Sequence, residues 1–378
     1  MGMMHSPETL VGDYATCSQW ITELLMTCLQ WPGFESSYIL HEEIKNIETL
    51  SDFKKAVKAR LEQVEHLYCT ATGIPAIVTK VKRPPVKDKR SFRLVTVQPI
   101  MPRTSQITPS DPALNNDKDK IINRDHLARV CQLTYKTLLA KAKAENLDPS
   151  GKAPTSDLIV FPEFAVHPDD QDIIKRLADK TKSMVFAGLC LLEKGGSYVN
   201  VARWFLPDFR DTGRQWTTKD QGKGYPTDSE KKLGVVGLRP CQHIIEIDYG
   251  DEGPYRLTGA ICYDSTDLAL ASDLKEKTDL FIIVAHNRDV RTFDTMASAL
   301  HYHMYQHVAV VNKGEFGGTT IQAPFKEQYD RIISHVHGND QISINIADID
   351  LGAFKRNSLT YKGVKGKPAN FKLAEDHQ

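Results

Sequence analysis

Residues Thr258-Gly-Ala-Ile-Cys-Tyr-Asp-Ser-Thr266 run from small and apolar side chains to a cysteine, break at Tyr263, Asp264 and Ser265, and open a new amphipathic run at Thr266. That order predicts a buried strand ending at Cys262, a sharp turn and the start of a helix, a junction typical of α/β folds. A thiol at such a junction faces backbone N–H groups and the positive end of a helix dipole. The expectation is therefore a lowered pKa and thiolate character. The stretch alone does not decide the matter, because most buried cysteines simply fill core space.

Outward from this point, apolar strands alternate with helical patterns. Strands are predicted at Phe92–Gln98, Asp157–Phe161 (stopping at Pro162-Glu163), Met184–Leu192, Tyr198–Leu206, His243–Asp248, Leu280–Ala285 and Val308–Val311. Short strands at Thr319–Pro324, Ile332–His337 and Ile342–Ile346 close the domain. Helices are expected over Arg124–Glu145, Asp169–Lys180 and Asp294–Gln306, and a charged, Gly-rich loop over Asp208–Lys232. Because several strands follow one another without a helix between them, the reading is an α/β domain with a mixed sheet covered by helices.

This domain is expected to span residues 89–352. Residues 1–88 read as a helical extension and basic linker. One helix covers Trp20–Leu29, another begins at a Ser51 cap, and Lys80-Val-Lys-Arg-Pro-Pro-Val-Lys-Asp-Lys-Arg90 forms the connector. Residues 353–378 read as a basic tail.

Bulk properties narrow the function classes. Lys plus Arg and Asp plus Glu each number 48, so bulk binding to nucleic acid or an anionic membrane surface is not indicated. The seven cysteines are scattered without a C-x-x-C pair, the usage of a reducing compartment, and no apolar run approaches a membrane span. A cytoplasmic protein is the expectation. The opening Met1-Gly2-Met3-Met4-His5-Ser6 fits the loose myristoylation pattern, which is too short to carry a conclusion.

Three stretches lie where loops should leave strands, the usual place for an α/β active site. Glu163 in Phe161-Pro-Glu-Phe164 is a half-desolvated carboxylate suited to act as a base. In Lys223-Gly-Tyr-Pro-Thr-Asp-Ser-Glu230, a lysine and a glutamate lie seven apart on a loop stiffened by Pro226, and a buried lysine there can hold oxyanion charge. Cys262 is the third. Each is weak alone.

Their order is more specific. Glu163 after a buried strand, then Lys-x-x-Pro-Thr-x-x-Glu, then Cys-Tyr-Asp resembles the carbon–nitrogen hydrolase, or nitrilase, superfamily. The likeness covers about Phe92–Ile349, including Val-Val-Asn-Lys-Gly-Glu-Phe-Gly-Gly-Thr319. It implies a four-layer αββα nitrilase-type sandwich and a Glu-Lys-Cys triad, with Glu163 as general base, Lys223 as oxyanion stabiliser, Cys262 as nucleophile and Glu230 as supporting glutamate. Lys219 is a rival for the lysine role. The backbone N–H of Tyr263 would complete the oxyanion site, and His286 and Asn287 would line the substrate pocket. Tyr263-Asp264 after the cysteine is more like amidase branches than nitrilases, so an amide is expected ahead of a nitrile.

The resemblance further implies a homo-oligomer and neither metal nor organic cofactor. A finer likeness, in Tyr14–Glu43 and Thr292–Gln306, is to nitrilase-like regions fused to reverse transcriptases of bacterial antiphage systems, which makes a reverse-transcriptase domain a possible partner. Two other readings stand beside the enzyme. His303 and His307, four apart, are read as sharing one helical face and suggest a metal site, yet no acidic or cysteine ligand sits at the expected offset. A nitrilase fold can also serve as an oligomerisation or ligand-sensing module with an idle triad.

Overall fold

The computed structural model describes residues 71–82, 91–145, 155–210, 213–249, 254–354 and 363–368, together with 49–52, 54, 55 and 58. Its strands are, in chain order, β1 (Ala76–Lys82), β2 (Phe92–Gln98), β3 (Leu158–Val166), β4 (Met184–Leu189), β5 (Leu192–Lys194), β6 (Ser197–Val199), β7 (Val201–Arg210) and β8 (Gly213–Gly222). They continue with β9 (Gln242–Asp248), β10 (Tyr255–Ile261), β11 (Leu280–Val284), β12 (His307–Val311), β13 (Thr319–Gln322), β14 (Ile332–Val336) and β15 (Ser343–Ile349). The helices are α1 (Asp117–Ala144), α2 (Gln171–Thr181), α3 (Asp228–Lys232), α4 (Leu268–Leu274), α5 (Val290–His303) and α6 (Gln328–Arg331).

Two mixed sheets form the centre, ordered β15-β2-β3-β4-β7-β8 and β1-β9-β10-β11-β12-β13-β14. In the first, β2, β3 and β4 are parallel; in the second, β10, β11 and β12 are. Every residue of β3 is buried, as expected of a strand covered on both faces. Alternate side chains divide between two cores. Leu94, Leu158, Val160, Phe186 and Trp204 meet Ile244, Leu257, Ile282 and Val310 of the other sheet. Their neighbours Val95, Ile159 and Phe161 meet Leu127 and Val130 of α1 and Ile174 of α2. On the far side, Leu270 and Leu274 of α4 and Phe293, Ala297 and Leu300 of α5 join the core of the seven-stranded sheet. The result is the expected αββα sandwich, in which each fully buried branched or aromatic side chain contributes roughly 1.5–3 kcal/mol.

Several boundaries differ from the sequence expectation, each for a local reason. Helix α1 starts at Asp117 rather than Arg124 because Asn116 Oδ1 caps it, accepting from the N–H of Lys118 and Asp119 (3.0 and 3.3 Å). Strand β3 does not stop at Pro162 but runs on to Val166, with an irregular register between Phe161 and Val166. Much of the expected Asp208–Lys232 loop is strand β8, paired along β7, followed by α3. Helix α5 ends at His303, and Tyr305, at φ +54°, turns the chain into β12. His307 is therefore a strand residue and shares no helical face with His303.

Residues 76–82, expected within the extension and linker, form β1 and pair in parallel with β9. Their period of two explains it. Ile77, Thr79 and Val81 are buried and Lys80 is exposed, a half-buried strand written over a basic run. The helix read at Trp20–Leu29 lies outside the described residues. For the second helix, the cap is Thr49 rather than Ser51, since Thr49 Oγ1 accepts the Asp52 N–H (3.2 Å). The expected tail also begins with packed residues, because Ala353, Phe354 and Val364 bury against Tyr305 and Ala323. No described helix is long and apolar enough to cross a membrane.

Candidate active site

The ends of strands from both sheets converge. β3 supplies Glu163, the end of β8 leads into Lys223, the end of β10 into Cys262, the end of β11 into His286, and the end of β12 into Asn312. The first three expected residues and Glu230 come together in one buried cluster. Lys223 Nζ donates to Glu163 Oε1 (2.9 Å) and to Glu230 Oε2 (2.7 Å), and the three side chains are only 2, 2 and 7% exposed. Lys219 lies on β8 opposite Trp204 and is half-buried, so the lysine between the two glutamates is Lys223.

Local structure explains the placement. The N–H of His286 donates to Glu163 Oε2 (2.9 Å), tying the carboxylate to the other sheet. Phe164, immediately after Glu163, has φ +58°, so the strand is kinked where the carboxylate leaves it. Neighbouring β4 makes room with Gly188, where a Cβ would stand 2.4 Å from the Glu163 Cα. Cys262 itself has φ +45° at the head of a 3₁₀ turn, Cys262–Thr266. Non-glycine residues held there cost on the order of 1–3 kcal/mol each, and such strain clusters at functional sites.

Glu230 closes a capping box at α3. It accepts from the N–H and Oγ1–H of Thr227 (2.8 and 2.9 Å), while its own N–H donates to Thr227 Oγ1 (3.3 Å). One carboxylate thereby starts a helix and fixes the lysine. Burial works against its charge, but Lys223 and the donors of Thr227 and Asn200 outweigh that and hold its pKa below the usual carboxylate value. For Lys223 too, burial pulls the pKa down, while Glu163, Cys262 and Glu230 outweigh it and leave it raised. The ammonium is thus the stable form.

Cys262 departs from the sequence expectation. Burial, and then the charge of Glu163, push its thiol pKa up; Lys223 and the N–H of His286 oppose them without prevailing. The short 3₁₀ turn does not offset desolvation, so the resting group is a thiol rather than a thiolate. Tyr263 follows in the same turn, where opening N–H groups have no intrahelical acceptor. Its side chain is half exposed.

His286 sits between the rings of Phe164 (5.5 Å, edge-on) and Phe316 (5.3 Å), with Nε2 2.9 Å from Thr104 Oγ1. Burial lowers its pKa and outweighs the nearby Glu315 carboxylate, which favours the protonated ring, so the imidazole is held toward its neutral form. Asn287 is held through its backbone, its N–H donating to Asn312 Oδ1 (2.9 Å) and its carbonyl accepting from Asn312 Nδ2 (2.8 Å).

Three contributors escaped the sequence reading. Asn200 Nδ2 donates to both glutamates, to Glu163 Oε1 at 2.6 Å and Glu230 Oε1 at 2.7 Å. A lone Asn between two strands offers no signal of this. Asp264 accepts from the N–H of Gly224 and of Tyr225 (2.7 Å each) and from Arg239 Nη1 (3.3 Å), all but completely buried. It latches the lysine loop to the cysteine turn. Its place two residues after Cys262 was visible, but its partner 40 residues upstream was not. Arg239 also reaches Asp267 (3.5 Å).

No protein-family model and no curated protein matches this chain. Among solved structures, it is similar to a CN-hydrolase superfamily protein from Xanthomonas campestris with an arsenic adduct in its active site, at 15% identity and a TM-score of 0.45, over 72% of this chain and 95% of that one. It is similar to Nit3 of Saccharomyces cerevisiae, a member of branch 10 of the nitrilase superfamily, at 15% identity and a TM-score of 0.47, over 70% and 93%. A doubly substituted amidase from Nesterenkonia sp. AN1 in complex with acrylamide is similar at 11% identity and a TM-score of 0.45, over 73% and 98%.

Proposed function

We propose that this chain hydrolyses a non-peptide carbon–nitrogen bond, of an amide rather than a nitrile, through a thioester on Cys262. The observation that carries the reading is the buried Glu163–Lys223–Glu230 cluster beside a cysteine held at positive φ. Two carboxylates and one ammonium leave a single net negative charge. Moving the thiol proton from Sγ to Glu163 keeps that charge constant, so the nucleophile can form without charging the interior further.

The thiolate attacks the amide carbon. Lys223 Nζ and the Tyr263 N–H take the oxyanion that develops. The carbon–nitrogen bond then breaks as Glu163 returns its proton to the departing nitrogen, leaving a thioester. Water, giving a proton to Glu163, adds to the thioester carbon; the carbon–sulfur bond breaks, the acid leaves and the thiol re-forms. Glu230, Asn200 and Asp264 hold the reacting groups in place. His286 and Asn287 lie on the loop that adjoins Glu163 and would border the substrate.

The test is ammonia or amine release across a panel of amides, nitriles and carbamoyl compounds, with intact-mass detection of an adduct on Cys262. Wild-type protein should release ammonia from at least one amide, and Cys262→Ala should abolish release and adduct alike. A wild type that does neither across the panel leaves the scaffold reading in its place.

A homo-oligomer is part of the proposal. Exposed Leu268 and a groove of about 410 Å³, lined by Leu268, Ala271, Met296, Ala299 and Leu300 on the outer helices, would suit a second copy. Light scattering measures it. The association with an antiphage reverse transcriptase rests on sequence likeness alone. Much of the stretch behind it, Thr292–Gln306, lies in α5 on the outer layer; co-purification with a polymerase tests it.

A further inference from the structure

Away from the candidate active site, three metal-ligating side chains meet on the edge of the seven-stranded sheet. His335 lies in the edge strand β14 and His337 follows its end. Asp294 comes from the first turns of α5, which packs over that edge. One ligand atom from each lies within 4.8 Å of the other two.

The sequence pattern makes the convergence local and rigid. Ser334-His-Val-His337 is a His-x-His run entered from a strand, so both imidazoles project to the same side of the sheet. Their ring centroids are 4.2 Å apart. His335 Nε2 lies 2.9 Å from Asp294 Oδ2. The other Asp294 oxygen, Oδ1, is buried and has no hydrogen-bond partner among the described residues. A buried carboxylate oxygen without a donor is a costly arrangement, and a bound cation beside it would remove the cost.

We propose that Asp294, His335 and His337 bind a divalent transition metal of the zinc class. Two imidazoles and one carboxylate form the ligand set of a three-protein-ligand zinc site, and they suit Zn²⁺, Co²⁺ or Ni²⁺ rather than Mg²⁺ or Ca²⁺. On binding, a neutral His335 ring nitrogen and an Asp294 oxygen would exchange their mutual contact for the metal, any proton between them being released to water. Of the three ligands His337 is exposed, while Asp294 and His335 are partly buried. Such a metal would clamp the start of α5 to β14. It would also bear on the pocket wall. Gly338, next to His337, backs the Gly317 turn so closely that a Cβ on Gly317 would stand 2.1 Å from its carbonyl oxygen. Phe316 beside that turn packs at a tilt against the His286 ring.

The experiment is calorimetric titration of the chelator-treated full chain with Zn²⁺ alone, repeated with Co²⁺ by visible absorption. Wild type should take up one equivalent and melt at a higher temperature with zinc. Asp294→Asn and His337→Gln should each weaken that equivalent by roughly tenfold or more. His337→Gln is the safer variant, because His337 is exposed and its loss leaves the core untouched. Variants whose metal-free melting matches wild type and whose zinc affinity is unchanged would overturn the assignment, as would a wild type that takes up no metal.

Discussion

Replacing Lys223 by Met removes the one cation between two buried carboxylates while keeping the length of the side chain. Two charge-assisted hydrogen bonds, of 2.9 Å to Glu163 and 2.7 Å to Glu230, disappear. At roughly 1.5–3 kcal/mol each, they predict a loss of about 3–6 kcal/mol, in line with about 3–5 kcal/mol for breaking a buried ion pair by removing one partner. The sign of the pH dependence is the sharper test. In wild type, Glu230 has a folded pKa below its unfolded value, so its contribution is complete above about pH 4.3 and is lost as pH falls below that. In Lys223→Met the two carboxylates repel, and the pair relieves the strain by binding a proton that the unfolded chain binds only at lower pH. The deficit of the variant is then largest at neutral pH and shrinks toward pH 5. Urea unfolding followed by circular dichroism from pH 5 to 8 measures both curves. Adding Glu230→Gln to the variant removes one of the repelling charges and should restore part of the loss. A deficit under about 1 kcal/mol at pH 7, or one independent of pH, would refute the reasoning that both glutamates are ionised and rely on Lys223.

Other outcomes are expected from the same physics. Asp264→Asn leaves either the Gly224 or the Tyr225 N–H facing an amide donor. It should lower kcat on any amide found in the panel by up to about 100-fold through misplacement of the lysine loop, with a smaller change in KM. His307, packed against Phe325 and Phe354, is pushed down to about 3 by burial. The neutral ring's contribution is therefore complete above about pH 6.5 and is lost as pH falls toward 3. His307→Phe should remove about 2 kcal/mol of the stability difference between pH 7 and pH 5, read by thermal melts at the two pH values. Unchanged acid sensitivity would place the titrating group elsewhere, with His243 and His301, each lowered to about 4, the next to examine.

What the sequence made legible follows the range of the interactions. Strand β2 was bounded to the residue, because its period and its flanking breaks are local. Strand β1 was missed because Lys80, on an exposed position, and the basic residues that follow read as a linker, although the alternate positions already carried Ile77, Thr79 and Val81. The loop assigned to Asp208–Lys232 failed for a similar reason, since β8 is a polar strand whose identity comes from pairing with β7. Boundaries set by a cap or a positive φ, at Asn116 and Tyr305, shifted by several residues.

The site divides along the same line. Glu163, Lys223, Glu230 and Cys262 were legible as types in order, but the bonds that make them one site join residues 40 and more apart, within one sheet and between the two. Lys223 reaches Glu163, Gly224 reaches Asp264, and the His286 N–H reaches Glu163. The thiolate expectation failed on that point. It weighed the local turn, which favours ionisation, without the distant Glu163 and the burial that oppose it. On the proposed mechanism the same environment gives Glu163 its use, because a cysteine that rests as a thiol needs a base at the moment of attack. A site of this design should be slow toward small thiol reagents and faster toward a carbonyl that engages Lys223 as sulfur attacks.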